Sequence, residues 1–170
     1  MKGSLLPFMD QEIFLKAKTL AYKLLARRSR SVQELRDKLL AHHIPPEISS
    51  RVIRDLKKSH YLDDEDYART WAQNRLNLKA YGPQRIEQEL FHKGISSEVV
   101  EKVMSEVYQK VDLVELAKRA LLKKKGRGTD LDVKTRRRLY TYLWRRGFPT
   151  DIIQQVLSPG NEDPAEGHPS

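Results

Sequence analysis

Apolar residues recur along this chain with the spacing of one helix face, and the same arrangement of them occurs three times. Leu35, Leu39, Ile44, Ile48, Val52 and Ile53 can be laid, with every internal spacing kept, on Ile86, Leu90, Ile95, Val99, Val103 and Met104. They can be laid again on Leu139, Leu143, Phe148, Ile152, Val156 and Leu157. The copies are offset by 51 and then 53 residues, near the upper end of helical repeat lengths. Each copy opens on a further amphipathic stripe. It runs Ile13, Ala17, Leu20, Ala21, Leu24 and Leu25 in the first copy, then Tyr67, Ala68, Trp71, Ala72, Arg75 and Leu76, then Leu113, Leu116, Ala117, Ala120 and Leu121.

Start and stop signals divide each copy into three helices. Ser31 with Glu34 forms a capping box ahead of the second helix, Gly82-Pro83 places proline at the first helical position, and Asp130 or Asp132 can cap the third copy. That helix closes on Gly94 and Gly147, with His43 at the equivalent place in the first copy as a weaker left-handed stop. Pro45-Pro46, Ser96-Ser97 and Pro149-Thr150 then open the third helix. No segment alternates apolar and polar residues in the manner of a strand. The expected fold is therefore all-α, with three tandem three-helix repeats in an elongated, curved array whose neighbours supply the burial that one unit of this size lacks. The expected divisions are 1–60 with an N-terminal extension, 61–110, 111–157 and a disordered tail at 158–170 that is rich in proline and glycine.

Charge changes this picture by marking one copy. The chain carries a net charge of +9, and between Ala117 and Gly147 there are twelve Lys or Arg against two acidic residues, so the excess sits in that segment. Such a concentration of positive charge attracts polyanions and releases their counterions, although a solvated helix surface would also carry it. Arg136, Arg137, Arg138, Tyr140, Tyr142, Trp144, Arg145 and Arg146 interleave cations with aromatics on one expected helix. Leu139 and Leu143, with Trp144 or Tyr140, are expected to face inward and the arginines outward, where phosphate or carboxylate can be met bidentately. Arg27, Arg28 and Arg30 make a smaller cluster, and for Arg27 and Arg28 pairing with internal acids is an equal alternative.

Other candidates carry less chemistry. Asp63-Asp64-Glu65-Asp66 gathers carboxylates that could hold a divalent cation, but it precedes an apolar stripe, where acids cap a helix and oppose its N-terminal partial charge. Lys125-Gly126-Arg127-Gly128 lacks the spacing and the preceding strand of a phosphate-binding loop and reads as a flexible basic turn. The five histidines form no metal-binding pair, and the chain has no cysteine, which excludes disulfides and thiolate chemistry and suits a reducing compartment. The N-terminal apolar patch is too short for a signal peptide. No catalytic residue, cofactor or metal ligand is expected.

The residues also resemble a family, RecX, the regulators of the bacterial recombinase RecA. The resemblance is carried by Leu24-Leu25-Ala26-Arg27-Arg28 with Ser31, Glu34-Leu35-Arg36 and Lys38-Leu39, by Tyr61-Leu62-Asp63-Asp64-Glu65 with Tyr67-Ala68, and by Gly82-Pro83 with Arg85-Ile86, Glu89-Leu90 and Lys93-Gly94-Ile95. Arg138-Leu139 with Tyr142-Leu143 and Arg145-Arg146-Gly147-Phe148 complete it, so that all three copies take part. His43 at the usual glycine position and the tail beyond Leu157 are the departures.

The resemblance implies a cytoplasmic monomer, acting in DNA repair, recombination and the SOS response, that docks on the RecA filament on single-stranded DNA and limits its recombinase, ATPase and co-protease activities. It binds duplex DNA weakly at most and touches no membrane. The candidate contacts to RecA or DNA are Arg27, Arg28, Arg30, Arg36, Arg85, Lys93, Lys123, Lys124, Lys125, Arg127, Arg136, Arg137, Arg138, Arg145 and Arg146. Two alternatives stand beside this reading: a duplex-DNA regulator of the helix-turn-helix type, and a divalent-metal nuclease using the carboxylates Asp63 to Asp66.

Overall fold

A computed structural model describes residues 6–122 and 132–158, with side chains from Asp10 onward. Nine α-helices and no strand occur among the described residues. The first repeat holds α1 (Leu6–Arg27), α2 (Val32–Ala41) and α3 (Pro46–Lys58), and the second holds α4 (Asp64–Asn74), α5 (Pro83–His92) and α6 (Ser97–Tyr108). The third holds α7 (Leu113–Leu122), α8 (Val133–Arg145) and α9 (Thr150–Leu157). The basic turn at 125–128 and the tail from 159 lie outside the described residues.

The chain forms two compact units. One runs to Trp71 and includes Leu90–Val103, and the other comprises Ala72–Glu89 and the residues from Met104 on. Their division does not follow the repeats, because the second repeat contributes to both. In the first unit α1, α2 and α3 pack mutually around Phe14, Ala17, Ala21, Leu24, Leu35, Leu39, Val52 and Leu56, all buried. In the second, α7, α8 and α9 enclose Leu116, Ala117, Ala120, Leu139, Leu143, Phe148 and Ile153. Alanines recur where the opening helix of a repeat meets its partners, so these helices approach closely.

The helix ends form as the sequence predicts. The Ser31 hydroxyl accepts the Glu34 N–H at 3.1 Å while the Glu34 carboxylate accepts the Ser31 N–H at 3.3 Å, a complete capping box. Asp132 caps α8 by accepting the Thr135 N–H at 2.7 Å. His43, Gly94 and Gly147 all sit in the left-handed region, at φ of 60°, 73° and 81°, so the first copy tolerates a residue with a Cβ where the others use glycine.

Two features depart from the pattern. The position shared by Ser49, Val100 and Ile153 is more deeply buried than its aligned neighbours Val99 and Ile152, which are half-buried. Serine in the first copy hides this position from a search for apolar residues. Beyond Asn74 the helix widens into a π-helical turn, Arg75–Lys79, closed by Ala80 at φ 50°. Its carbonyls are taken up within the same unit: Arg119 donates to Leu76 O at 2.9 Å and Arg146 donates to Lys79 O. Nothing in local propensity predicts this turn, because its bonding partners lie far along the chain.

Candidate nucleic-acid interface

Within each unit, two successive repeats meet through the same pair of chain positions. In the first unit the Ser31 hydroxyl donates to Lys93 O at 2.6 Å. In the second, at the equivalent positions, the Gly82 N–H donates to Arg146 O at 2.8 Å, and the Gln84 N–H adds a bond to Gly147 O at 3.2 Å. The acceptor is retained while the donor changes from a hydroxyl to a main-chain amide. Glycine permits that closer approach, since a Cβ on Gly82 would lie 2.4 Å from Gly147 O and 2.7 Å from Phe148 N.

The two joints differ in charge. At the first, Glu34 receives Lys93 at 2.6 Å, Arg28 at 3.2 Å and the Tyr67 hydroxyl at 3.2 Å. Burial pushes its carboxyl up, but hydrogen bonds from Arg28, Lys93 and the Ser31 N–H outweigh that and hold it at about 2. Burial and the nearby Glu34 push the Tyr67 hydroxyl up to about 12. At the second joint the positions of Glu34 and Lys93 are occupied by Arg85 and Arg146. Two cations cannot pair, so Arg85 turns to Glu89 at 3.2 Å and lies 5.9 Å from the Tyr81 ring centre. Arg146 lies 4.7 Å from the ring centre of Tyr142 and 5.4 Å from that of Tyr81.

This second joint opens into a groove of about 700 Å³ lined by Tyr81, Arg85, Lys134, Arg137, Arg138, Leu139, Thr141, Tyr142, Arg145 and Arg146. Six of the ten lining residues are cations and none is acidic. α8 begins three residues earlier than α2 and α5 do in register, and the extra turn brings Lys134 to the groove. Arginine forks suit phosphate oxygens bidentately, and two tyrosine rings among them offer faces on which bases stack.

The structure sorts the candidate cations. Arg85, Arg137, Arg138, Arg145 and Arg146 share the groove. Lys134, not singled out by the sequence pattern because it stands apart from the arginine run, joins them. Arg136 is exposed on the same helix but does not line the groove. Lys93 is taken up at the first joint, where it also lies 4.8 Å from the Trp71 ring centre. Arg28 grips Glu34 through both terminal nitrogens. Arg30 reaches back to Leu24 O at 3.3 Å, Arg27 is exposed at the end of α1, and Arg36 is half-buried on α2. Lys123, Lys124, Lys125 and Arg127 lie outside the described residues. Of the two aromatics left open for the inner side of α8, Tyr140 takes a half-buried position and Trp144 is 58% exposed. The inner face of α8 is already filled by Leu139 and Leu143.

The acidic cluster serves the fold. Asp63 accepts the N–H groups of Glu65 and Asp66 at 2.8 and 3.2 Å, Asp64 accepts the Val32 N–H at 2.8 Å, and Glu65 pairs with Arg69 and Lys102. These carboxylates diverge to separate partners, and no group of three or more potential metal ligands converges among the described residues. No helix among those residues is long and apolar enough to cross a membrane.

Comparison with known proteins places the whole repeat. Family models for the first, second and third three-helix domains of RecX match residues 17–56, 63–104 and 111–157. Regulatory protein RecX of Salmonella paratyphi A is 38% identical over 146 residues, covering 80% of this chain and 86% of the relative, and the Salmonella typhimurium protein matches equally well. A crystal structure of regulatory protein RecX shares the fold with a TM-score of 0.78 at 21% identity, covering 92% of this chain and 77% of that one. RecX from Lactobacillus salivarius does so with a TM-score of 0.70 at 22% identity, covering 86% and 96%. With three domain matches in order along nearly the whole repeat, the chain belongs to the RecX family of regulatory proteins.

Proposed function

We propose that this protein regulates RecA by binding its filament on single-stranded DNA, limiting recombinase, ATPase and co-protease activity without catalysis of its own, as a cytoplasmic monomer. The observation that carries this beyond family membership is the cationic groove of α8, which offers six positive side chains and two tyrosines to an anionic strand. Phosphate contacts of this kind provide affinity with little sequence preference, which is what a ligand spread along a filament on arbitrary sequence requires.

A helix-turn-helix regulator of duplex DNA fits less well. In the basic third repeat that arrangement would place α9 in the major groove, yet α9 contains no Lys or Arg and exposes Asp151 near its start. The discriminating experiment is a titration of the protein into RecA hydrolysing ATP on single-stranded DNA. Inhibition at substoichiometric protein is expected, and an unchanged rate at equimolar protein would overturn the proposal.

A further inference from the structure

Large apolar residues stand exposed at the same place in all three repeats. Leu40 is 39% exposed, Phe91 51% and Trp144 58%, and the repeat offsets of 51 and 53 residues carry the first onto the second and the second onto the third. Each directly follows a leucine that is wholly buried, Leu39, Leu90 and Leu143. Each also has its carbonyl fixed by the same bond, accepting the N–H of the left-handed residue that ends its helix: His43 to Leu40, Gly94 to Phe91 and Gly147 to Trp144, all at 2.9 Å. Scattered exposed hydrophobic residues need no explanation, and the others here are of that kind. Leu15 falls on Asp66 in the repeat register, and Val133 falls on Ala80 and Ser29. Among the described residues, only the position after the buried leucine keeps an exposed apolar side chain in every copy.

We propose that Leu40, Phe91 and Trp144 are three equivalent anchors that insert into apolar sockets repeated along a protein filament. This rests on the reading that the chain binds the RecA filament and adds which side chains meet its protein surface. A repeated anchor suits a partner that repeats its own socket. Pre-ordering at a capped helix end lowers the ordering cost of contact, and the change from Leu to Phe to Trp runs toward the residue type that dominates interface energetics. A protein socket accommodates all three, whereas a nucleic-acid base stacks on Phe91 or Trp144 but not on Leu40. Trp144 is also absent from the lining of the cationic groove although its neighbours Arg145 and Arg146 belong to it.

The test compares the wild type with Leu40→Ala, Phe91→Ala, Trp144→Ala and the triple variant. Inhibition of RecA ATP hydrolysis on single-stranded DNA is followed, together with anisotropy of a labelled oligonucleotide in the absence of RecA. The triple variant should need at least about tenfold more protein for half-inhibition, with Trp144→Ala the largest single effect, while oligonucleotide affinity stays within about twofold and helical circular dichroism is unchanged. The conservative set Leu40→Met, Phe91→Leu and Trp144→Phe should retain inhibition. Unaltered inhibition by the triple variant overturns the inference alone, and a parallel loss of oligonucleotide affinity overturns it by assigning the anchors to bases. A wild type that neither binds nor inhibits the filament overturns the parent proposal and this one with it.

Discussion

Glu34 at the first joint allows a quantitative test of how the repeats are held. Its carboxyl sits at about 2 in the folded chain against an ordinary value of 4.5. The folded state therefore binds fewer protons than the unfolded state between those values, and stability rises with pH across that window. The full contribution is present above pH 4.5 and is lost as pH falls through 2. At about 1.4 kcal/mol per tenfold change the difference amounts to about 3 kcal/mol, trimmed toward about 2 because Arg28, one of the donors, is half-exposed and screened. Glu34→Gln keeps an acceptor for the capping box and removes only the charge. Urea unfolding of both proteins at a series of pH values from 7 to 2 should show the wild type more stable by about 2 to 3 kcal/mol at pH 7. That advantage should decline below pH 4.5 and nearly vanish at pH 2. Taking the difference between the two proteins cancels the titration of every other carboxylate. A difference independent of pH, or a glutamine variant as stable as the wild type at pH 7, would refute the account.

Three further outcomes are expected. Leu90→Ala, at a wholly buried position, should lower unfolding free energy by about 2 to 5 kcal/mol in denaturant titration. Neutralising Arg137 and Arg138 should reduce the slope of log affinity against log salt for single-stranded DNA by about 0.7 per lost phosphate contact. Arg136→Ala, outside the groove, should leave that slope nearly unchanged, and equal effects at all three would show that the groove is not the contact. Gly82→Ala should destabilise by about 3 kcal/mol or more, because its Cβ would collide with main chain that cannot yield. Gly94→Ala should destabilise as well, since its Cβ would lie 2.4 Å from the Gln33 Cβ, which moves only with the α2 backbone, at a residue already in the left-handed region. Thermal unfolding of both variants beside the wild type measures the two losses.

The fold was legible because period and punctuation agreed. Leu35, Ile86 and Leu139 recur in register, and Ser31, Asp132, Gly94 and Gly147 sit where caps and stops belong. What period and punctuation do not carry depends on contacts between distant segments. Gly94 and Gly147 read as helix stops, which they are, but their lack of a Cβ also admits Gln33 and Arg85 from the preceding repeat. The buried Ser49 is polar and so invisible to an apolar search. Tyr140 and Trp144, four residues apart, lie on the same side of the inner stripe of α8, Trp144 the further from it, and packing covers only the nearer of the two. The candidate site was legible as a charge bias but not as a place. Composition treats Arg136, Arg137 and Lys134 alike, and only the packing of α8 against the turn at Tyr81 separates those that line the groove.

The retained acceptor carbonyl at the two joints has an evolutionary consequence. A connector anchored on main-chain oxygen makes no demand on the side chain of the residue that provides it, so duplicated units can drift in charge without coming apart. Here one joint carries an ion-paired clasp around Glu34, while the other, held by main-chain bonds, carries arginine at the same two positions and leaves their charge turned outward to the groove.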